Sequence, residues 1–172
     1  DLTQDDFEVS EDDKRQTVET FRLVMIDTTA PLETTGRLSS RQDEENAAAD
    51  EDARIFIFFL DEYHVRLGNS LAARKHLIDF VQTQLGPTDM IGMMYPMQAT
   101  ASVRMTRNHD AIVKGLQQLR GRKFDYQPRN EFEQRYAQYP TETVEQIRNQ
   151  VSMSALKALI SHMGGLKEGR KA

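Results

Sequence analysis

Arg54-Ile55-Phe56-Ile57-Phe58-Phe59-Leu60-Asp61-Glu62-Tyr63-His64-Val65 sets an unbroken apolar run against an abrupt cluster of polar side chains. Ile55 to Leu60 shows no polar alternation, so both faces of the segment need cover. That is the condition of a central strand in a parallel sheet with helices on either side. In open α/β sheets, ligands collect just beyond the carboxyl ends of such strands. The stretch therefore predicts an α/β fold whose site begins at Asp61 and continues through Glu62, Tyr63, His64 and Arg66.

The segments that follow fit this frame. Asn69 or Ser70 can cap a helix with apolar positions Leu71, Leu77, Ile78, Val81 and Leu85, closed by Gly86-Pro87. A second apolar strand is expected over Met90 to Tyr95. Beyond Pro96, Gln98 to Thr106 alternates Ala99, Ala101, Val103 and Met105 with Thr100, Ser102 and Arg104, the pattern of a half-exposed strand. The short gap between the two favours an antiparallel pair, because a parallel crossover needs a dozen or more residues. Asn108 or Asp110 can cap a helix carrying Ile112, Val113, Leu116 and Leu119, and Glu131 to Gln138 forms a short one. A long helix runs from Thr141 to Gly164-Gly165 along the stripe Val144, Ile147, Val151, Ala155, Leu159 and Met163.

Upstream, Asp6 to Val9 and Thr17 to Ile26 read as two strands of a hairpin around Glu11-Asp12-Asp13-Lys14. Residues 28–53 lose periodicity and turn acidic and alanine-rich, the composition of a flexible linker. Three regions result: residues 1–27 as a β-hairpin from a preceding β-rich module, 28–53 as linker, and 54–172 as the main domain.

Composition narrows the function classes. At 172 residues with 38% hydrophobic content, the chain can bury one core. The net charge of −5 and the scatter of its cations argue against nucleic acid or an anionic membrane as the main partner. No window reaches the ~18 apolar residues that cross a bilayer. The absence of cysteine removes disulfides, thiolate zinc sites and cysteine nucleophiles. The eight methionines, several between Met90 and Met97, read as core filler.

Laid out this way, the chain resembles the von Willebrand factor A-related family of Acidobacteria. Two segments carry the likeness: Leu2-Thr3-x-x-Asp6-Phe7-Glu8-Val9-x-Glu11-Asp12 with Gln16 to Phe21, and the apolar strand with Asp61, its helix, Leu85-Gly86-Pro87-Thr88-Asp89, the paired strands and Met105-Thr106. Residues 28–53 and 120–139 are unmatched. The resemblance implies a von Willebrand A-like Rossmann sheet with helices on both faces, preceded by the hairpin. It implies a non-catalytic adhesion or scaffold module in the cell envelope or outside the cell. It further implies that 54–172 is a domain truncated at its C-terminus, stopping just before the next central strand.

The family's metal-ion-dependent adhesion site uses Asp-x-Ser-x-Ser, a Thr from a second loop and an Asp from a third, hard oxygen ligands suited to Mg²⁺. Asp61 matches the first ligand, but Tyr63 and Val65 stand where the serines belong. Thr106 ends an earlier strand, residues 121–130 contain no Thr, and the third loop falls past Ala172. The site is degenerate, and no metal or cofactor is assigned; Mg²⁺ at Asp61 is kept as the alternative.

Other chemistries lack their partners. Asp61-Glu62 after a strand suits an ATPase acid pair, but no Gly-x4-Gly-Lys-Ser/Thr loop occurs. A phosphohydrolase of the Asp-x-Asp type would have Tyr63 in place of its acid. His76, His109 and His162 read as structural, with no pair at zinc spacing. Asp61 to His64 reads either as a recognition rim or as a loop capping the helix near Ser70. Residues 120–129 mix cations with aromatics, and Arg122, Phe124, Tyr126 and Arg129 suit a protein interface. The reading is a protein-binding module at the C-terminal edge of the sheet, without catalysis or direct membrane insertion. A Mg²⁺-dependent phosphohydrolase using Asp61 and a structural subunit of a larger assembly are the alternatives.

Overall fold

The computed structural model describes residues 3–19, 21, 40–48, 53–165 and 170–171. Its main sheet has three parallel strands in the order β4-β3-β5: β3 Arg54–Phe59, β4 Met90–Met94 and β5 Arg170–Lys171. Ile55 pairs with Met90 and Phe59 with Met94 on one side, while Arg54 and Ile55 pair with Arg170 and Lys171 on the other. Residues 166–169 and 172 lie outside the described residues.

Period-two alternation sorts the side chains of β3 between two cores. Ile55, Ile57 and Phe59 join Met90, Met94, Val103, Met105 and Leu159 on one face, beneath α1 Arg41–Ala48 and α5 Thr141–Gly165. Phe56, Phe58 and Leu60 join Val81, Ile91, Ile112 and Leu116 on the other, beneath α2 Leu67–Thr83 and α3 His109–Leu116. The molecule is thus α/β with helices on both faces of a central strand. The chain leaves β3 for β4 on one side and returns to β5 on the other, where the pairing covers Arg54 and Ile55 at the amino end of β3. At the same end, Asp89 is fully buried, accepting from the Arg54 guanidinium at 2.8 Å and from the Gly86 amide at 2.6 Å.

Three elements differ from expectation. Gln98 to Thr106 is not a strand: Thr100–Ser102 coils into a short 3-10 turn, and only Thr106 pairs, antiparallel with Ile91, through two 2.9 Å bonds. Ala99 and Ala101 have little apolar surface to bury, whereas Val103 and Met105 keep their alternation and enter the core. A Cβ at Gly92 would meet Met105 Sδ at 2.8 Å, so glycine in β4 admits this returning segment.

Residues 41–48, expected as linker, form α1. Ser40 and Asp43 cap it reciprocally, the Asp43 amide donating to Ser40 Oγ at 3.1 Å and the Ser40 amide to Asp43 Oδ2 at 2.9 Å. Alanine is the strongest helix former, and Glu44 is held against the core by the Arg104 guanidinium at 2.6 Å. Residues 28–39 and 49–52 lie outside the described residues.

The hairpin is shorter than expected and sits closer to its turn. β1 Val9–Glu11 pairs with β2 Lys14–Gln16 around Asp12 and Asp13, at φ 49° and 60°. Two successive left-handed residues make the mirror-image turn whose twist suits adjoining strands, so pairing begins directly beside it. Of the expected second strand over Thr17 to Ile26, positions 20 and 22–26 lie outside the described residues.

Candidate functional site

Asp61 follows β3 and turns toward α5, where Ser152 Oγ donates to its Oδ1 at 3.0 Å. Its Oδ2 lies 2.7 Å from Nδ1 of His64. Asp61 and His64 are 27% and 30% exposed, so the strand delivers this pair to a partly open rim. His64 Nε2 is enclosed and has no hydrogen-bond partner among the described residues.

Tyr63 points the other way and is fully buried. Its hydroxyl donates to Glu133 Oε1 at 2.7 Å. Glu133 lies in α4 Glu131–Tyr136, a short helix capped by Asn130, whose side chain accepts from the Glu133 amide at 2.9 Å. Arg122 grips the same carboxylate with both ends of its fork, at 2.7 and 2.8 Å, and reaches Glu62 at 3.5 Å. From α5, Arg148 lies over the rings of Tyr63 and Tyr126, 4.8 and 5.0 Å from their centroids, and donates to the carbonyls of Arg122 and Asp125. This is a buried ionic network roofed by aromatic faces.

The electrostatics follow from burial and pairing. Burial pushes the Glu133 carboxyl up, but hydrogen bonds from Arg122, Tyr63 and the Arg129 amide outweigh it and bring the group down to about 2. Burial raises Glu62 above the usual carboxylate range, against the opposing charge of Arg122. Burial and the bond to Glu133 push the Tyr63 phenol far up, so it stays a donor.

The network locks two loops together. Arg122 N donates to Glu62 O at 2.6 Å, Lys123 N to Val65 O at 3.0 Å and Gly121 N to Ser70 Oγ at 2.8 Å. A Cβ at position 121 would collide with the Val65 carbonyl, so only glycine permits this approach. Ser70 is therefore not the cap of α2. The helix starts at Leu67, with Arg66 as an N-cap lacking a side-chain hydrogen bond, and Ser70 ties its first turn to the second loop.

The structure brings the sequence-predicted residues to one end of the sheet in two layers. Tyr63 and Arg122, expected as contacts, are buried at 0% and 2% exposure and act inside the fold. Arg66 is exposed and stacks 5.2 Å from the ring of Phe124. Phe124 is itself 57% exposed, at φ 71°. Tyr126 is half-buried and donates to Glu145 at 2.6 Å, and Arg129 pairs with Asp125 at 2.9 Å.

Sequence reasoning missed Glu133, Arg148 and Ser152. The two on α5 repeat at four-residue spacing from Val144, and all three positions are buried. A polar pair on such a line is the available signal.

Among the described residues, no three His, Asp or Glu side chains converge as metal ligands. Around Asp61, one carboxylate oxygen takes the Ser152 hydroxyl, the other faces His64, and Tyr63 is turned away to Glu133. These residues do not fit the oxygen set of an adhesion-type Mg²⁺ site. Comparison with protein-family models, with curated proteins and with solved structures gives no match.

Proposed function

We propose that this chain carries a von Willebrand A-like domain that binds a protein partner at the carboxyl edge of its sheet, without catalysis and without the usual Mg²⁺. The observation that carries the reading is the division of labour at that edge. Arg122 and Glu133 pair beneath the edge, with Arg122 Nε and Arg148 Nε left without a partner among the described residues, whereas Arg66 and Phe124 face outward on a loop pair braced from beneath. A rigid aromatic with a cation beside it is the composition of an interface anchor rather than a reaction centre. The parallel order β4-β3-β5 with helices on both faces supports the fold assignment. Placement in the cell envelope or outside the cell, and membership of a larger assembly, belong to the same proposal and rest on the family resemblance. No helix among the described residues is long and apolar enough to cross a membrane.

A photo-crosslinking side chain placed at Arg66 should trap a protein in the native host, whereas the same group at exposed Gln117, which follows α3, should not. Equal yields from both positions, or none from position 66, would sink the reading.

A further inference from the structure

Phe124 holds a bulky side chain at φ 71°, a left-handed conformation that glycine adopts freely and aromatic residues rarely do. Nothing in the core demands the ring, since it is 57% exposed. The surrounding backbone is pinned by Arg122 N to Glu62 O, by Lys123 N to Val65 O, by Asp125 N to Arg122 O at 2.9 Å and by the Arg148 bond to the Asp125 carbonyl. A strained residue held this firmly and turned outward is the pattern of a recognition element.

The charges beside the ring indicate what it meets. Arg66 and Lys123 lie 5.2 and 5.4 Å from its centroid. Among the described residues, neither has a carboxylate partner, whereas Arg129 nearby is paired with Asp125. Leu67 and Leu71, one turn apart at the start of α2 and directly after Arg66, are also half exposed. A surface depression of about 500 Å³, lined by Phe124, Asp125, Tyr126, Gln127, Pro128 and Ala137, adjoins the ring, and its one carboxylate, Asp125, is paired with Arg129.

We infer that Phe124 anchors this surface and that the partner is an acidic protein segment, one that lays an apolar side chain against the ring and carboxylates over Arg66 and Lys123. This rests on the protein-binding reading above and names the chemistry of the partner. Carboxylates placed over Arg66 and Lys123 would gain charge-assisted hydrogen bonds, while the ring supplies apolar area at little entropic cost because its backbone is already fixed. Nucleic acid fits less well. A chain of net charge −5 with two unpaired cations at the ring gives little counterion release.

The test titrates the ¹⁵N-labelled full chain with three probes: a capped peptide alternating glutamate and leucine, its lysine–leucine counterpart, and an oligodeoxythymidylate. The glutamate peptide alone should shift the amides of Lys123, Phe124 and Asp125, with binding weakened by salt. Phe124→Ala should weaken it at least about tenfold, Phe124→Tyr should retain it, and Arg66→Gln with Lys123→Gln should remove its salt dependence. Equal shifts from the lysine peptide, binding of the oligonucleotide at these amides, or indifference to Phe124→Ala would overturn the inference. Crosslinks from position 66 that survive Phe124→Ala would sink the anchor yet leave protein binding standing; absence of crosslinks in the parent chain would sink protein binding itself.

Discussion

The hydroxyl of Tyr63 donates to Oε1 of Glu133 at 2.7 Å, joining the loop after β3 to the first turn of α4 across 70 residues of chain. Removing that oxygen alone leaves ring volume and the Arg122–Glu133 pair intact, while Glu133 loses one buried donor. Tyr63→Phe should therefore cost about 1–3 kcal/mol, read as a lower urea midpoint with an unchanged slope. A midpoint equal to that of the parent would show that the bond is not made in solution.

Glu133 also sets how the fold responds to acid. Its folded carboxyl lies at about 2, below the ordinary 4.5, so the stability it adds is present above pH 4.5 and drains away as pH falls toward 2. Glu133→Gln removes this dependence and leaves buried Arg122 without its main counter-charge, at a cost of about 3–5 kcal/mol at neutral pH. Urea midpoints between pH 6 and 3 should fall less steeply in the variant than in the parent. Parallel curves would place the acid-sensitive group elsewhere.

Glu62 should behave in the opposite sense. Burial raises its carboxyl, so stability is lost as pH rises from the ordinary carboxylate value, where the unfolded chain ionises, through the raised value of the folded group. Glu62→Gln is expected to melt at the same or a higher temperature at pH 7 and to show no gain at pH 4. A clear loss at pH 7 would mean that its pairing with Arg122 at 3.5 Å outweighs desolvation.

How far the sequence disclosed this arrangement depends on how local the signal is. The strands β3 and β4 and the helix α5 are legible because their apolar residues fill a face regardless of what lies opposite. The coil at Thr100–Ser102 and the helix over Arg41–Ala48 are not, since small residues leave burial undecided and Glu44 meets its partner Arg104 across 60 residues. At the site, the end of β3 and the aromatic-basic loop were both visible. Which of their side chains face inward was not, because Tyr63 and Arg122 are buried by Glu133 and Arg148, whose own sequence surroundings look like ordinary exposed helix.

Gly121 controls how closely the two loops approach. Its added Cβ would strike the Val65 carbonyl, which itself accepts from Lys123, so the clash falls on backbone that cannot rotate aside. Gly121→Ala should lower stability by about 1–3 kcal/mol and speed hydrogen exchange at the amides of Arg122 and Lys123 before the core strands respond. Unchanged protection there would mean that the loops are not packed as described.

Phe124 separates stability from binding, because two replacements remove the same ring and differ only in backbone tolerance. Alanine retains the left-handed penalty of roughly 1–2 kcal/mol, which glycine escapes, although glycine gives back about 0.5–1 kcal/mol through the greater freedom of its unfolded chain. Phe124→Gly should consequently be more stable than Phe124→Ala by several tenths to about 1 kcal/mol. Both should bind the acidic probe equally poorly, since both lose the stacking surface beside Arg66. If the glycine variant is instead less stable than the alanine variant, position 124 does not hold φ 71° in solution, and the case for a strained, outward-facing anchor falls with it.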